Sequence, residues 1–159
     1  MIDEIQPLDA SVFNLVEGKA DGKNIPIIGW MISRRLYRPV KESISRTLES
    51  RPIINTAIWG DDRHQEIAQF LCSKIKAEIG WPNDRFIPVD TIDVVLWMCD
   101  DDLEIVEIIM DIEDRYKIKI ADDFVGGIVQ GTMGNFVKLI ASLMSAEAPE
   151  SLPASPSPS

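Results

Sequence analysis

The sequence has few of the residues from which disulfide scaffolds and metal centres are built. It contains 2 cysteines and 1 histidine among 159 residues. Two cysteines are too few for a disulfide framework, and one histidine leaves no Cys/His set with the spacing of a zinc site. Cys72 and Cys99 both have apolar neighbours in the sequence. We therefore expect two buried, reduced thiols, as is typical of a cytoplasmic protein.

Long hydrophobic runs are also missing. The longest apolar stretch covers residues 25–32 and is interrupted by Pro26, whereas a membrane-spanning helix needs about 20 apolar residues. The acidic, Pro7-containing start of the sequence has neither the basic nor the apolar region of a secretory signal. These absences favour a cytoplasmic protein.

Charge is unevenly distributed along the chain, whose formal net charge is −10. Residues 1–60 contain 8 Lys/Arg and 7 Asp/Glu, a net charge of +1, and residues 61–159 contain 8 Lys/Arg and 19 Asp/Glu, a net charge of −11. Such an acidic surface repels phosphates, which disfavours nucleic acid as a partner and favours a basic protein surface.

The charge step and the composition divide the chain into three parts. We predict an N-terminal, partly helical extension at residues 1–60 and a helical domain at residues 61–145. Residues 146–159 are rich in proline and serine, so we predict a disordered tail there. No internal repeat is present.

The basic stretch at residues 25–51 has six Arg/Lys and two Glu. Because Pro39 interrupts it, we predict a helix over residues 39–48 only, with Val40, Ile44 and Leu48 on its buried side. The stretch is predicted to be an extra helical layer or a partner contact. Two other interpretations remain open: contact with an acidic membrane surface, and folding back on the acidic domain.

The first helix of the acidic domain has clear start and stop signals. Asp61 and Asp62 are expected to cap its N-terminus, and Gly80 followed by Pro82 is expected to end it. Its apolar residues recur at helical spacing: Ile67, Phe70, Leu71, Ile75 and Ile79.

The segments on either side of this helix are less regular. The preceding residues 53–59 are predicted to be a linker, a short strand or an extension of this helix. The connection at residues 81–100 is too apolar for a solvated loop, so we expect it to be pinned to the core with one helical turn near residues 93–97.

A second helix is predicted over residues 103–116. We expect its buried side to carry Leu103, Val106, Ile109, Met110 and Ile112, and its exposed side to carry Glu104, Glu107, Asp111 and Asp114.

Two more helical elements are predicted after it. The one at residues 124–130 is expected to be short and of low helix stability, because it contains two adjacent glycines. A last helix should start after Thr132, with Met133, Phe136, Val137 and Ile140 inward.

Residues 101–123 resemble the signature of acyl carrier proteins. The matching residues, in order, are Asp101, Leu103, Val106, Glu107, Met110, Glu113, Asp114, Tyr116, Ile118, Ile120, Asp122 and Asp123. The resemblance covers about half of the chain and includes the order of the helices. It implies an all-α protein with a four-helix carrier-like bundle, preceded here by a helical extension.

One departure from the family pattern concerns its chemistry. Asp102 stands where the family has the serine that receives 4′-phosphopantetheine. A carboxylate cannot be esterified by the transferase, so we expect the cofactor to be absent. Asp102 is then either a good helix cap, which is the interpretation we favour, or a mimic of the charged, modified serine.

The acidic second helix is the candidate binding surface. Residues 100–114 contain eight acids and no base. In the carrier family this surface docks on basic patches of enzymes, which implies a partner-binding role for Asp101, Glu104, Glu107, Asp111, Glu113 and Asp114. The alternative is a merely solvated helix face.

These observations lead to a functional hypothesis. We expect a non-catalytic interaction module that docks on a basic surface, for instance of a synthase or an acyl-handling enzyme. The alternative is an acyl carrier or lipid-handling component of fatty-acid or polyketide-type synthesis. We find no residue set for catalysis, and Asp100, Asp101 and Asp102 lack the alternating ligands and glycine of a calcium loop.

Overall fold

A computed structural model describes residues 5–13, 26–96, 103–121, 127–128 and 130–146. Within these ranges the chain is helical and contains no β-strand, which confirms the all-α class. Cys99, Asp101, Asp102, Asp122, Asp123 and residues 147–159 lie outside the described residues. The α-helices are α1 (Pro26–Ser50), α2 (Asp62–Ile79), α3 (Ile92–Val95), α4 (Leu103–Tyr116) and α5 (Met133–Ala146), and 3₁₀ helices cover Ala10–Phe13 and Thr56–Trp59.

Helix α1 is two and a half times as long as the helix predicted over residues 39–48. It has 25 residues and continues through Pro39, where we expected the helix to begin. Proline removes one backbone hydrogen bond from a helix interior but does not forbid the helix, and packing of Val40, Ile44 and Leu48 in the core anchors the second half. Pro26 at the first helical position suits a helix start. None of the described helices combines the length and the apolar composition needed to cross a bilayer.

Helix α2 confirms the predicted boundaries. The Asp61 carboxylate accepts a hydrogen bond of 3.0 Å from the backbone N–H of His64, and this bond lowers the pKa of Asp61. Gly80 adopts a left-handed conformation with φ of 79° and donates its N–H to the carbonyl of Lys76. A residue with a side chain is strained in that conformation, which explains the glycine.

One hydrophobic cluster joins the described helices. Helix α2 contributes Ile67, Leu71 and Ile75, and side chains from both sides of Gly60 belong to the same cluster. From the N-terminal side come Leu8, Val40, Ile44 and Leu48. The division into an extension and a domain stays a prediction, but packing continues across the predicted boundary.

The connection between α2 and α4 is pinned to the core as expected. Phe86, Ile92 and Val95 are buried, and the indole N–H of the buried Trp81 donates to the carbonyl of Val95 over 2.9 Å. The predicted helical turn exists as α3. Residues 53–59, for which three interpretations were open, form an irregular segment followed by a 3₁₀ helix.

Helix α5 closes the structure. The Thr132 hydroxyl accepts from the N–H of Asn135 over 3.3 Å at its start, and the predicted inward residues are buried: Met133, Phe136, Val137 and Ile140. Gly134 approaches the preceding connection closely, since its N–H donates to the carbonyl of Pro88 over 2.8 Å. Of the predicted element at residues 124–130, the described residues 127–128 are helical.

Candidate docking face on helix α4

The orientation of α4 differs from the one predicted. Ile108 and Ile112 are buried, and Ile105 and Ile109 pack against the core from the edges. Three residues assigned to the buried side face outward instead: Leu103 is 64% exposed, Val106 47% and Met110 59%. The prediction was therefore correct for Ile112, partly correct for Ile109, and wrong for Leu103, Val106 and Met110.

The error has a simple physical origin. Half of the 14 residues of α4 are apolar, so apolar side chains cover more than one side of the helix. Residues 105, 108, 109 and 112 follow the spacing i, i+3, i+4 and i+7 of a buried stripe. Residues 103, 106 and 110, at i, i+3 and i+7, form a second apolar stripe on another side of the same helix. Periodicity alone does not choose between two such stripes, and the isoleucine stripe is the one that packs.

Contacts with α2 fix one edge of α4. Lys74 of α2 forms an ion pair with Asp111 and a second one, of 2.7 Å, with Glu78; donating hydrogen bonds to these carboxylates, chiefly to Asp111, raises the pKa of Lys74. The guanidinium of Arg115 lies 4.6 Å from the centre of the Phe70 ring. Such cation–π contacts stabilise modestly at exposed sites, and together these contacts hold α4 at a defined rotation.

Glu113 has a structural task at the other end of the helix. Its carboxylate accepts 2.7 Å and 2.9 Å hydrogen bonds from the N–H of Ile120 and the ammonium of Lys119. These bonds, the one from Ile120 first, lower the pKa of Glu113. The side chain is 14% exposed, so it is committed to holding the segment after α4 and offers little to a partner.

The other predicted binding residues are divided between the edge and the exposed side. Glu107 and Asp114 are exposed, and Asp114 pairs with Lys117 over 2.9 Å. Glu104 is half-buried, as is Asp111, which pairs with Lys74. Asp101 and the attachment-position equivalent Asp102 lie outside the described residues.

These observations define an outer face of α4. It consists of residues at spacings of three, four and seven along one side of the helix: Leu103, Val106, Glu107, Met110 and Asp114. Flexible methionine side chains are typical of adaptable binding surfaces, and carboxylates beside Met110 would select partners by charge. Sequence analysis identified the acids of this face and missed its apolar centre.

A groove of about 530 Å³ borders a different side of α2. Cys72 lies in its wall, but burial raises the pKa of the thiol, so the nucleophilic thiolate is not formed near neutral pH. The guanidinium of Arg85 is engaged with the carbonyl of Arg51 at 2.5 Å. Groups of Cys, His, Asp and Glu that are able to hold a metal do not occur in the part of the chain that the structure describes.

Comparisons with protein-family models, with curated proteins and with solved structures find no match to this chain. The resemblance to acyl carrier proteins therefore rests on the residues quoted above and stays a prediction.

Proposed function

We propose that this protein is a non-catalytic interaction module that docks the outer face of α4 on another protein. We further propose that α2, α4, the helical residues 127–128 and α5 correspond to the four helices of a carrier-like bundle. The observation that carries the functional proposal is the exposure of Val106 and Met110 beside Glu107. Scattered exposed apolar residues need no explanation, but a stripe along one helix side that is bordered by carboxylates does.

The composition of the outer face indicates the partner's surface. Val106 and Met110 stabilise a complex only if their side chains leave water. The partner must therefore offer a shallow apolar patch that covers them. Glu107 is exposed, so a lysine or arginine at the rim of the patch would complement it. The partner surface is therefore apolar at its centre and basic at its rim, a common arrangement of interfaces.

The contacts that hold the two edges of α4 support a role in docking. Its edges are held by the Lys74–Asp111 ion pair and by the bonds of Glu113. A surface that is already ordered loses less conformational entropy when a partner binds. Binding energy would then come from a few central side chains, as in most protein interfaces.

The modification state separates this proposal from the alternative of an acyl carrier. Because Asp102 cannot accept a phosphopantetheine ester, we expect the intact mass of the protein to stay unchanged after co-expression with a phosphopantetheinyl transferase. A mass increase of one phosphopantetheine group would establish a carrier and contradict the unmodified module.

Photo-crosslinking tests the docking surface itself. A photoreactive amino acid is introduced at position 106 or 110 of the full-length protein, and in a control at Ile53, an apolar residue that is 87% exposed and lies outside α4. We expect the variants at 106 and 110 to crosslink to one discrete protein in cells and the control not to. Adding Glu107→Lys should weaken the crosslink, whereas Glu49→Lys, another exposed glutamate, should not.

The binding constant gives the quantitative test once the crosslinked protein is purified. Removing both central side chains with Val106→Ser and Met110→Ser should weaken binding about tenfold or more, since central interface residues each contribute above about 1 kcal/mol. The Ile53→Ser variant serves as the matched control. Equal affinity of all variants would show that the outer face of α4 is not the docking surface.

A further inference from the structure

The N-terminal residues 5–9 have no regular secondary structure, and Gln6 and Leu8 bind them to the rest of the protein. Leu8 is fully buried, while its neighbours Gln6 and Pro7 remain at least partly exposed. We call residues 5–9 the strap. Asp9 bonds locally to Ser11 and Val12, whereas the hydrogen bonds of Gln6 and Leu8 reach residues more than 40 positions away in the sequence.

The strap is held through its backbone. The N–H of Leu8 donates to the carboxylate of Asp90 over 2.8 Å, and its carbonyl accepts from the N–H and the hydroxyl of Thr91 over 2.9 Å and 3.2 Å. The carbonyl of Gln6 accepts from the guanidinium of Arg51 over 2.7 Å. Extended peptides are recognised in this way, with backbone bonds for affinity and a pocket for one side chain.

The groups that receive the strap are fixed independently of it. Arg51 and Asp90 form a two-pronged buried ion pair with both distances at 2.7 Å. One half of the pair is held by the body of the protein: Nη1 of Arg51 donates to the carbonyl of Arg85, and Oδ2 of Asp90 accepts from the N–H of Ile87, each over 2.8 Å. The other half, Nη2 and Oδ1, is the half that contacts the strap.

The attachment of the strap is small compared with that of the helices. Within the described residues it consists of one fully buried side chain, the partly buried side chains of Ile5, Pro7 and Asp9, and four hydrogen bonds to distant residues. The entropy lost on ordering five irregular residues is of the same size as the gain from these contacts. Segments with this balance open without unfolding of the whole protein.

We propose that the strap is a displaceable ligand held in cis and that the site beneath it binds an extended, leucine-containing segment of a partner protein. The partner segment needs a leucine with free backbone N–H and carbonyl groups, and a carbonyl two residues before it. While the strap occupies the site, the partner segment is excluded. The strap is therefore an autoinhibitory element, and this role is independent of the α4 docking surface.

Hydrogen exchange of the unmodified, full-length protein tests whether the strap opens. The amide of Leu8 is expected to exchange by local opening, with protection about tenfold or more below that of a core amide such as Leu71 in α2. Exchange of Leu8 only at the rate set by global unfolding would overturn the proposal, because the strap would then be an integral part of the core.

A synthetic peptide tests the vacated site. The full-length Leu8→Asp variant has a disabled strap and an intact site, so it should bind a labelled peptide with the sequence of residues 5–13, whereas the same peptide carrying Leu8→Asp should not bind. The unmodified protein should bind the peptide at least about tenfold more weakly, because its own strap competes. A folded Leu8→Asp variant that does not bind the peptide would overturn the proposal, and so would a Leu8→Asp variant that fails to fold. Val106→Ser should leave peptide binding unchanged.

Discussion

Breaking the buried ion pair between Arg51 and Asp90 should destabilise the protein more than any single surface change. Arg51 is 3% exposed and Asp90 is fully buried. In Arg51→Met the carboxylate of Asp90 stays buried and keeps only the N–H groups of Leu8 and Ile87 as donors. Removing one partner of a buried pair costs about 3–5 kcal/mol, because an uncompensated charge is left behind. That is a large part of the roughly 5–15 kcal/mol by which domains are stable.

Urea denaturation followed by circular dichroism at the helix band measures this loss. With a slope of about 2 kcal/mol per molar urea, the midpoint of unfolding should fall by roughly 2 M. Arg38→Met is the matched control, because Arg38 pairs with Glu42 on the exposed side of α1 and exposed pairs contribute little. The double variant Arg51→Met with Asp90→Asn should recover part of the loss, since no charge remains buried and the side-chain carbonyl of Asn can still accept from one of the N–H groups of Leu8 and Ile87. A midpoint of Arg51→Met close to that of Arg38→Met would refute the reasoning.

Two further stability predictions concern other positions. Gly134→Ala should lower the free energy of unfolding by about 1–2 kcal/mol, because a Cβ there would lie 3.0 Å from the carbonyl oxygen and Cβ of Pro88. Gly127→Ala is the control and should be neutral, since a Cβ there meets nothing within 4 Å. A neutral Gly134→Ala would contradict the prediction. Glu113→Gln should be less stable than the unmodified protein at pH 7 but equal to it in acid. The pKa of Glu113 is lowered in the folded state, so its contribution is complete above the unfolded value of about 4.3 and disappears as the pH falls through the folded pKa. Urea midpoints measured from pH 7 down to pH 3 check this, and a constant difference between the two proteins would contradict it.

The elements that the sequence predicts well are those whose signals lie within a few residues. Asp61 and Gly80 mark the ends of α2 by their own side-chain and backbone chemistry, and the structure uses both. Helix α5 is similar, since one apolar stripe and Thr132 at its start determine its orientation. Local signals of this kind do not depend on the rest of the fold.

The features that sequence analysis missed are decided by tertiary contacts. Pro39 reads as a helix boundary, but the core contacts of the residues after it keep α1 continuous. On α4 there are two apolar stripes, and tertiary packing, including the contacts with α2, determines which of them is buried. Arg51 and Asp90 are 39 positions apart, and each resembles an ordinary surface charge in the sequence. The acids of the outer face were predicted from the family resemblance, whereas the exposure of Val106 and Met110 needed the structure.

An exposed apolar stripe on a helix normally invites self-association, and the charge of this protein opposes it. Residues 61–159 carry a net charge of −11, and the carboxylates of Glu107 and Asp114 border the stripe directly. Two copies that approached through this face would bring like charges together at a short distance, where salt screens them incompletely. A basic surface would instead be attracted by the carboxylates of Glu107 and Asp114. We therefore predict that the acidity around Val106 and Met110 favours contact of the outer face with a basic surface over contact with a second copy.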